Sequence, residues 1–525
     1  MSRTDDPQST VIRGVRLPGP GQGVGQRPPT RAGRDRRGGH EGEWDVLVQD
    51  GQVTALTPTG SAPAPAAAAV VEAAGRYCLP GLWDEHTHMV QWALAMSRLD
   101  LGVATSAAHA AELVRAAVPN AGRPVVGYGF RDALWPDAPS RELLDDVVGQ
   151  VPAVLVAADL HCAWLNTAAG RLLGVEVGTD GLVRESAWFE AMGRLDVETA
   201  AGAETALAAA LPLLPERGVV GVVDLEGAGG GVDNIANWRS RMAGGEPMVR
   251  VEAGIYPDGL PAALAEGWRS GHVVPGTGGM LRVGPLKILS DGSLNTRTAL
   301  CRDPYYAGPS VRGGGGDGHG YGYREYSVDQ IAEMLTGAGE GGITSTVHAI
   351  GDLAVGSALD AFERTGLGGR IEHAQLIHPD DVPRFAALGV VASVQPEHAM
   401  DDRDVAEEYW QGRTGWCFPL AALHAAGATL RLGSDAPVAQ LDPWAAISAA
   451  VTRSRDGREP WHPEQALDVT TALAASTRGQ GEVRVGQPAD LVLTEADPHT
   501  ADGGTLRTMP VWATMLAGRW THAPA

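Results

Sequence analysis

Two histidines stand two positions apart in the segment LPGLWDEHTHMV. His86 and His88 follow an apolar stretch and a Pro-Gly pair, and Asp84 lies just before them. On a β-strand, side chains two positions apart point to the same face, so both imidazoles could bind one ion. Imidazole is a common protein ligand for zinc and similar metals. A lone pair of this kind is equally compatible with ordinary core or surface histidines, so further residues must decide.

Three more candidate ligands stand where apolar runs end. His348 closes ITSTVH, His373 follows RIE, and Asp435 closes LRLGSD. Each alone is more typical of a hydrogen-bonded residue at a strand end than of a ligand. Together, at the ends of separate predicted strands, they indicate one metal site. An aspartate beside an activated water can act as general base and then protonate a leaving group, which makes Asp435 the candidate base.

Lys287 is the one lysine among the 41 lysine and arginine residues, and it closes the apolar run LRVGPLK. A role that needs only positive charge could have gone to arginine. A buried lysine amine can react with carbon dioxide to give an anionic carbamate that bridges two metal ions, whereas an arginine guanidinium stays protonated. We therefore expect a carbamate on Lys287. Chance retention and an unmodified ammonium that binds substrate are the alternatives.

The elements that must position these residues alternate between short β-branched runs and Ala/Leu-rich helical segments. Runs such as PVVGYGF, AVLVAA, GVVGVVDLE, ITSTVHAI and ATLRLGSD lie between about Cys78 and Gly481. This alternation predicts an α/β protein with a parallel sheet, and about eight such units predict a (β/α)8 TIM-type barrel with its chemistry at the C-terminal strand ends. The stretches 186–215 and 311–323 are expected to be insertions or active-site loops.

Strand-like segments also occur at both ends of the chain, at STVIRGVR, DVLVQDGQVTALT, ADLVLTEAD and MPVWATMLAGRW. We expect the termini to meet in a small β-sandwich domain, with residues 1–78 and 482–525 on either side of a barrel over 79–481. The Gly/Pro/Arg-rich stretch 17–42 cannot pack a core and is predicted to be a flexible loop.

The composition narrows the class of partner and the compartment. A net charge of −22 disfavours nucleic acid and anionic membrane surfaces as partners. No apolar run approaches the ~20 residues that span a bilayer, and MSRTDDPQST lacks the pattern of a secretory signal. The four cysteines form no C-x-x-C pair, as expected for reduced thiols. We expect a cytoplasmic protein with a small-molecule substrate; a homodimer is compatible with the sequence.

The motifs together resemble a known family. LPGLWDEHTH is similar to the P-G-x-x-D-x-H-x-H signature of the amidohydrolase superfamily. GPLKILSDGSLNTRTAL, TVHAIGDLAVGSALDAFE, RIEHAQLIHPDD, LRLGSDAPVAQLDPWAAISAAVTR, HCAWLNTAAG and VGQPADLVLTEADP resemble the subgroup called amidohydrolase family 3. That subgroup includes proteins like N-substituted formamide deformylase. The resemblance covers roughly residues 45–520 and does not specify the substrate.

The resemblance implies a barrel with a β-sandwich made from both chain ends, and a site for one or two divalent ions, with zinc expected. It implies that His86 and His88 bind one ion and that His348 and His373 bind a second. Carboxylated Lys287 would bridge the two ions. Asp435 would be both ligand and base.

Residues next to these motifs extend the predicted site. Metal-bound histidines usually donate their free N–H to an acceptor, so Asp291, Asp352 and Glu372 are candidates to orient ligands. A second group consists of candidates for contact with the substrate: Arg297, His398 and Asp401. A loop or helix-cap hydrogen bond is the alternative role for each of them.

These residues predict hydrolysis of a C–N bond in a small amide-like compound, by metal-activated water with Asp435 as base. An esterase, lactonase or deaminase on the same fold is the alternative, because a fold does not fix the bond that is cleaved. A catalytically silent barrel with a binding or assembly role is the third reading. Such a barrel is expected to lose metal ligands, whereas all six positions are filled in this sequence.

Overall fold

Strands and helices alternate along most of the chain. A computed structural model of the protein describes residues 9–19, 42–118, 123–227, 230–245, 247–306 and 320–524. The strands, in chain order, are β1 (Ser9–Val15), β2 (Trp44–Gln49), β3 (Gln52–Pro58), β4 (Ala69–Glu72), β5 (Tyr77–Pro80), β6 (Leu82–Thr87), β7 (Leu99–Asp100), β8 (Val125–Phe130), β9 (Ala153–Ala157), β10 (Cys162–Leu165), β11 (Leu182–Arg184), β12 (Val219–Asp224), β13 (Arg250–Ile255), β14 (Leu281–Leu289), β15 (Ser345–Ala349), β16 (Gly369–His373), β17 (Val390–Val394), β18 (Leu430–Leu432), β19 (Leu491–Thr494), β20 (Val511–Leu516) and β21 (Arg519–His522). The α-helices are α1 (Met89–Ala95), α2 (Ala107–Ala117), α3 (Arg141–Val148), α4 (Thr167–Leu173), α5 (Glu185–Ala210), α6 (Leu213–Glu216), α7 (Asn234–Ala243), α8 (Leu260–Ala265), α9 (Val328–Glu340), α10 (Asp352–Thr365), α11 (Val382–Leu388), α12 (Pro396–Tyr409), α13 (Leu420–Ala425), α14 (Pro443–Thr452), α15 (Val469–Ser476) and α16 (Gly503–Arg507).

Eight parallel strands form the central barrel, in the order β18, β17, β16, β15, β14, β13, β12 and β6. Every residue of β12 (VVGVVD) and of β15 (STVHA) is buried, as expected for strands covered on both faces. Helices cover the outside; α10, for example, packs Val355, Leu359 and Phe362 into the same apolar cluster as the strands. The predicted (β/α)8 barrel is confirmed.

The barrel closes at a seam between its first and last strands. The Asp435 N–H donates to the His86 carbonyl at 2.7 Å, and the His88 N–H donates to the Ala436 carbonyl at 2.8 Å. Gly433 permits this close approach, because a Cβ there would lie 2.7 Å from the backbone nitrogen of His86. The seam therefore sets His86 of β6, and His88 just after it, beside Asp435.

A separate five-stranded sheet, in the order β11, β10, β9, β8 and β7, is inserted between barrel strands β6 and β12. It has an apolar core of its own that includes Leu101, Leu155 and Trp164. The runs PVVGYGF and AVLVAA form β8 and β9 of this sheet, so their prediction as barrel strands is wrong. These two strands are parallel and apolar like those of the barrel, and an apolar pattern does not reveal which sheet a strand joins.

Two four-stranded sheets are built from the ends of the chain, in the orders β3, β2, β1, β4 and β21, β20, β19, β5. Residues of both sheets, including Ile12, Val46, Leu491 and Met515, share one apolar cluster. Strand β5 of the N-terminal segment pairs antiparallel with β19 of the C-terminal segment. The predicted β-sandwich, formed by both ends of the chain, is confirmed.

Three predicted loops or insertions have different outcomes. The stretch 186–215 is mostly helix α5 rather than loop. Residues 20–41 of the Gly/Pro/Arg-rich stretch and residues 311–319 of the Gly-rich stretch lie outside the described residues. Among the described helices, none combines the length and the apolar character that crossing a membrane requires.

Candidate metal centre

The six predicted ligands converge at the C-terminal end of the barrel. They lie on or just after strands β6, β14, β15, β16 and β18: His86, His88, Lys287, His348, His373 and Asp435. All six side chains line one cavity of about 490 Å³. Active sites of TIM-type barrels lie at this end.

Asp435 contacts both histidines of the first barrel strand. Its Oδ1 atom lies 3.3 Å from His86 Nε2 and 3.2 Å from His88 Nε2. His86, His373 and Asp435 each offer a ligand atom within 4.8 Å of the other two. Burial raises the pKa of Asp435, but the adjacent imidazoles of His86 and His88 outweigh it and hold that pKa below its ordinary value. An ionised carboxylate among imidazoles is a donor set that suits a divalent metal.

His348 and His373 are buried side by side, with ring centroids 4.4 Å apart. Burial lowers the pKa of both imidazoles well below the ordinary value, and neighbouring histidines add to the effect. Both rings are therefore neutral, which is the form that binds metal ions. Among the described residues, the buried Nδ1 atom of His373 has no hydrogen-bond partner. Because an unsatisfied buried nitrogen is costly, this atom fits a role as metal ligand.

Lys287 is almost fully buried, and its Nζ lies 3.1 Å from His86 Nε2. Burial lowers the pKa of the Lys287 amine, although the carboxylates of Glu372 and Asp435 oppose the shift. A lower pKa increases the fraction of neutral amine, which is the nucleophilic form. Position and protonation therefore both favour a lysine that can react with carbon dioxide.

Two of the predicted supporting carboxylates lie against the imidazoles. Glu372 Oε2 is 2.9 Å from His86 Nδ1, and Asp291 Oδ1 is 3.5 Å from His348 Nε2. Burial opposes ionisation of Glu372, but His86 is the main group that lowers its pKa to about 2. Burial raises the pKa of Asp291 to about 7, although its carboxylate accepts hydrogen bonds from backbone N–H groups. Both carboxylates stand where they can orient an imidazole.

A second cavity of about 500 Å³ adjoins the first. Six residues line both: Asp159, His161, His348, His373, Asp435 and Val438. In the remainder of the first cavity, five apolar or aromatic side chains stand beside His86, His88, Gln91, Glu226 and Lys287, and we call these five the apolar lobe: Leu160, Phe189, Met192, Tyr256 and Leu289. We call the remainder of the second the polar lobe, after the residues Arg131, Asn295, Gln375, His398, Asp401 and Asp402. Three of the predicted metal ligands, His348, His373 and Asp435, therefore line both cavities, whereas the other three line the first cavity alone.

Two of the predicted substrate-contact residues, His398 and Asp401, line the polar lobe. His398 Nε2 lies 3.8 Å from Asp435 Oδ2. Asp401 accepts hydrogen bonds from Arg131 at 3.1 Å and from Arg455 at 2.6 Å. Both His398 and Asp401 come from helix α12, which follows barrel strand β17. The structure therefore brings these two residues to the wall of the site.

Two other predicted site residues lie elsewhere. The Arg297 guanidinium stacks over the ring of Tyr409, 5.4 Å from its centroid, and Arg297 lines neither cavity. Asp352 is the first residue of α10 and accepts a hydrogen bond from the Arg302 N–H at 2.9 Å. A carboxylate in the first turn also interacts favourably with the helix dipole. The structure thus gives Asp352 a role at a helix terminus and Arg297 a role in packing.

His161 and Asp159 line both cavities, although the sequence analysis does not single them out. His161 Nδ1 lies 2.8 Å from Glu185 Oε2. Burial lowers the pKa of His161, but the Glu185 carboxylate more than offsets this and the pKa rises to about 9. Asp159 accepts a hydrogen bond from the Ser293 hydroxyl at 2.6 Å. The available signal was the segment HCAWLNTAAG, which begins with His161 and resembles the same family as the ligand motifs.

Comparisons with known proteins relate the chain to others by sequence and by fold. The model of a family described as "Amidohydrolase family" matches residues 69–522. Protein LONG AFTER FAR-RED 3 of Arabidopsis thaliana is 28% identical over 441 residues, which cover 77% of this chain and 73% of that protein. N-substituted formamide deformylase of Arthrobacter pascens is 25% identical over 524 residues, covering 90% and 94%. The crystal structure of an uncharacterized metal-dependent hydrolase from Pyrococcus horikoshii OT3 shares the fold, with a TM-score of 0.72 at 22% identity over 94% of this chain and 99% of that one.

Proposed function

Because the chain belongs to the amidohydrolase family, we propose that it hydrolyses an amide-type C–N bond in a small molecule. The observation that carries the proposal is the convergence of six side chains with metal-binding chemistry on one cavity at the C-terminal end of the barrel. The relative from Arthrobacter pascens, N-substituted formamide deformylase, suggests N-substituted formamides as a first substrate class to test.

In this proposal His86, His88 and Asp435 hold one divalent ion, and His348 and His373 hold a second. Zinc suits this set of imidazole and carboxylate ligands. When bound, a divalent ion would lower the pKa of a water molecule and would polarise the carbonyl group that is attacked. Glu372 would fix the orientation of the His86 ring through the 2.9 Å contact at Nδ1.

Lys287 would serve as a carbamate. Its neutral amine would form a bond to the carbon of carbon dioxide and release one proton to water, which converts a neutral side chain into an anionic one. The product would place negative charge next to His86, whose Nε2 is 3.1 Å from the lysine nitrogen. Arginine cannot take this role, because its guanidinium remains protonated.

Asp435 would move the proton that the reaction requires. The water oxygen forms the new bond to the carbonyl carbon while Asp435 accepts a proton from that water. Asp435 then delivers the proton to the departing nitrogen as the C–N bond breaks, so that a carboxylic acid and an amine result. Its pKa is held low by His86 and His88, so the carboxylate begins in the ionised form that a base needs.

The metal content of purified protein tests the site. We would measure it by elemental analysis on wild type and on Lys287→Arg, each prepared with bicarbonate. Arg282→Lys is a matched control, because it exchanges the same two residue types at an exposed position of the same strand, β14. About two ions per chain in wild type and in the control, with a clear loss in Lys287→Arg, would support the carbamate. Equal metal in all three would refute the bridge, and no metal in wild type would refute a metal-dependent enzyme.

Activity on a substrate panel tests the bond that is cleaved. The panel pairs N-benzylformamide and N-methylformamide with benzyl formate, a γ-lactone and an amino-substituted triazine. Turnover of the formamides that Asp435→Asn lowers by about 10³-fold or more is expected from loss of the base. Exclusive turnover of the ester and lactone, or of the triazine, would replace the amide proposal by an esterase or a deaminase. Unchanged activity in Asp435→Asn would remove Asp435 from the role of base.

A further inference from the structure

His161 occupies a distinctive place between the two lobes. It lines both cavities together with His348, His373 and Asp435, although it is not among the proposed metal ligands. Its ring centroid lies 5.2 Å from that of His348. His161 therefore faces the space beside the proposed ligands that a substrate would enter.

The orientation of the His161 ring is fixed by its contact with the Glu185 carboxylate. Strands β10 and β11 pair antiparallel with Cys162 opposite Arg184, so the next pair outward is His161 and Glu185. The Glu185 N–H donates to the His161 carbonyl at 3.0 Å, and Glu185 Oε2 lies 2.8 Å from Nδ1 of the imidazole. With Nδ1 engaged by a carboxylate, Nε2 is the ring nitrogen left to act in the cavity.

Glu185 is itself held by further contacts. Its Oε1 atom accepts a hydrogen bond from the Thr298 hydroxyl at 2.5 Å and one from the Thr296 hydroxyl at 3.3 Å. Leu160, which directly precedes His161, and Glu185 itself have left-handed backbones, with φ of 64° and 50°. Non-glycine residues adopt this conformation at an energetic cost that is often found at functional sites. The backbone is thus strained at the His161–Glu185 pair, which lies outside the barrel sheet.

We propose that His161 is a catalytic residue: its Nε2 donates a hydrogen bond to the substrate oxygen on which negative charge develops during attack by water. Glu185 is the positioning residue that holds Nδ1 and so directs Nε2 into the junction of the lobes. Donors prearranged toward such an oxygen are among the largest contributors to hydrolytic catalysis. This inference rests on the hydrolysis proposed above and assigns a residue outside the metal ligand set.

The rival role for His161 is that of an additional metal ligand. A ligating imidazole often donates its second N–H to a carboxylate, as His161 does to Glu185. The two roles differ in what removal of the ring does to the metal. A ligand is required for full metal content, whereas a substrate donor is not.

Two substitutions at His161 distinguish the roles of its two ring nitrogens. His161→Asn keeps an amide near the position of Nδ1 for Glu185 but removes the donor near Nε2, whereas His161→Gln places an amide near Nε2. We expect His161→Asn to lower kcat by about 10²-fold or more with little change in KM, and His161→Gln to recover part of the loss. A merely structural role would give the opposite order. His272→Gln, at an exposed position, is the matched control and should match wild type.

The substrate pair N-benzylformamide and benzyl formate refines the assignment. A donor to the carbonyl oxygen affects both substrates, so His161→Asn should lower kcat by a similar factor for each. A loss confined to the formamide would instead make His161 the acid for the departing amine and overturn the proposal. Glu185→Gln should give an intermediate loss, and Glu190→Gln, an exposed position of the same helix with a side chain 73% exposed, should give none.

A binding measurement and metal analysis complete the test. Phenylphosphonate presents the charged tetrahedral oxygens that an attacked carbonyl develops, and its binding is measurable by calorimetry without turnover. We expect His161→Asn to bind it at least about tenfold more weakly with wild-type metal content. Unchanged binding, or loss of metal in His161→Asn, would overturn the proposal. If wild type hydrolyses no compound of the panel, the proposed function fails, while phenylphosphonate binding still decides the role of His161.

Discussion

Replacing Glu85 by glutamine should lower the free energy of unfolding by about 3 kcal/mol, because it leaves three partly buried arginines without this anion. Glu85 lies on β6 directly before His86, and its side chain is fully buried. Its carboxylate lies 2.9 Å from Arg370, 2.7 Å from Arg478 and 3.8 Å from Arg431. Burial raises the pKa of Glu85, yet these arginines hold it below its ordinary value. One carboxylate thus lies within ion-pair distance of cations from three separate segments.

The contacts set the size of the effect. Removing one member of a buried ion pair costs about 3–5 kcal/mol. The three guanidinium side chains remain 20–22% exposed, so water can hydrate them in part and the lower end of that range applies. Arg478 also retains its ion pair with Glu252. Glutamine has the shape of glutamate, so the loss reflects charge rather than a cavity.

Urea unfolding followed by tryptophan fluorescence measures the difference. Glu495→Gln is the matched control: Glu495 pairs with Arg76 at 2.8 Å, nearly the distance between Glu85 and Arg478, but its side chain is 43% exposed. An exposed pair contributes about 1 kcal/mol or less. Equal and small losses in both variants would refute the reasoning that burial makes the Glu85 contacts strong.

Three further predictions concern the metal, the substrate and the fold. Glu372→Gln should weaken metal binding about 10- to 100-fold, because the carboxylate that orients His86 is lost. Competition with a chelator measures the metal affinity, and an unchanged affinity would contradict the orienting role. Phe189→Ala should raise KM for N-benzylformamide about tenfold or more, because an apolar contact in the apolar lobe is removed, while KM for N-methylformamide should not change. Equal changes in KM for both substrates would argue against the apolar lobe as the site that binds the benzyl group. Trp238→Phe should cost about 1–3 kcal/mol in urea unfolding, because the buried Asp224 carboxylate loses the indole N–H that donates to it at 2.6 Å.

The sequence predicts the barrel and the convergence of the predicted ligands for a clear physical reason. Parallel strands end at one face of a barrel, so polar residues that close successive apolar runs must meet there. His348, His373 and Lys287 satisfy this rule directly, because each lies on a barrel strand. Asp435 follows its strand by three residues, and the hydrogen bond from its N–H to His86 places it.

Residues outside the barrel strands could not be placed by the same rule. His161 and Glu185 meet because β10 and β11 of the inserted sheet pair antiparallel. The hydrophobic periodicity of the sequence does not predict how that sheet packs against the barrel. Arg297 has a left-handed backbone in a loop, with φ of 58°, and the direction of its side chain depends on that local turn. Asp352 stands close to His348 in sequence, but its place at the start of α10 turns it toward Arg302.

The barrel seam has a consequence for the order of events during synthesis. His86 and Asp435 lie on opposite sides of the seam, 349 positions apart in the chain (435 − 86). When a ribosome has translated only the first half of the chain, His86 has been synthesised but Asp435 has not. Any ion that needs both must wait until β18 is released and docks beside β6. Binding of such an ion would then require a completed barrel. A truncated or stalled chain would leave the ribosome without the ion.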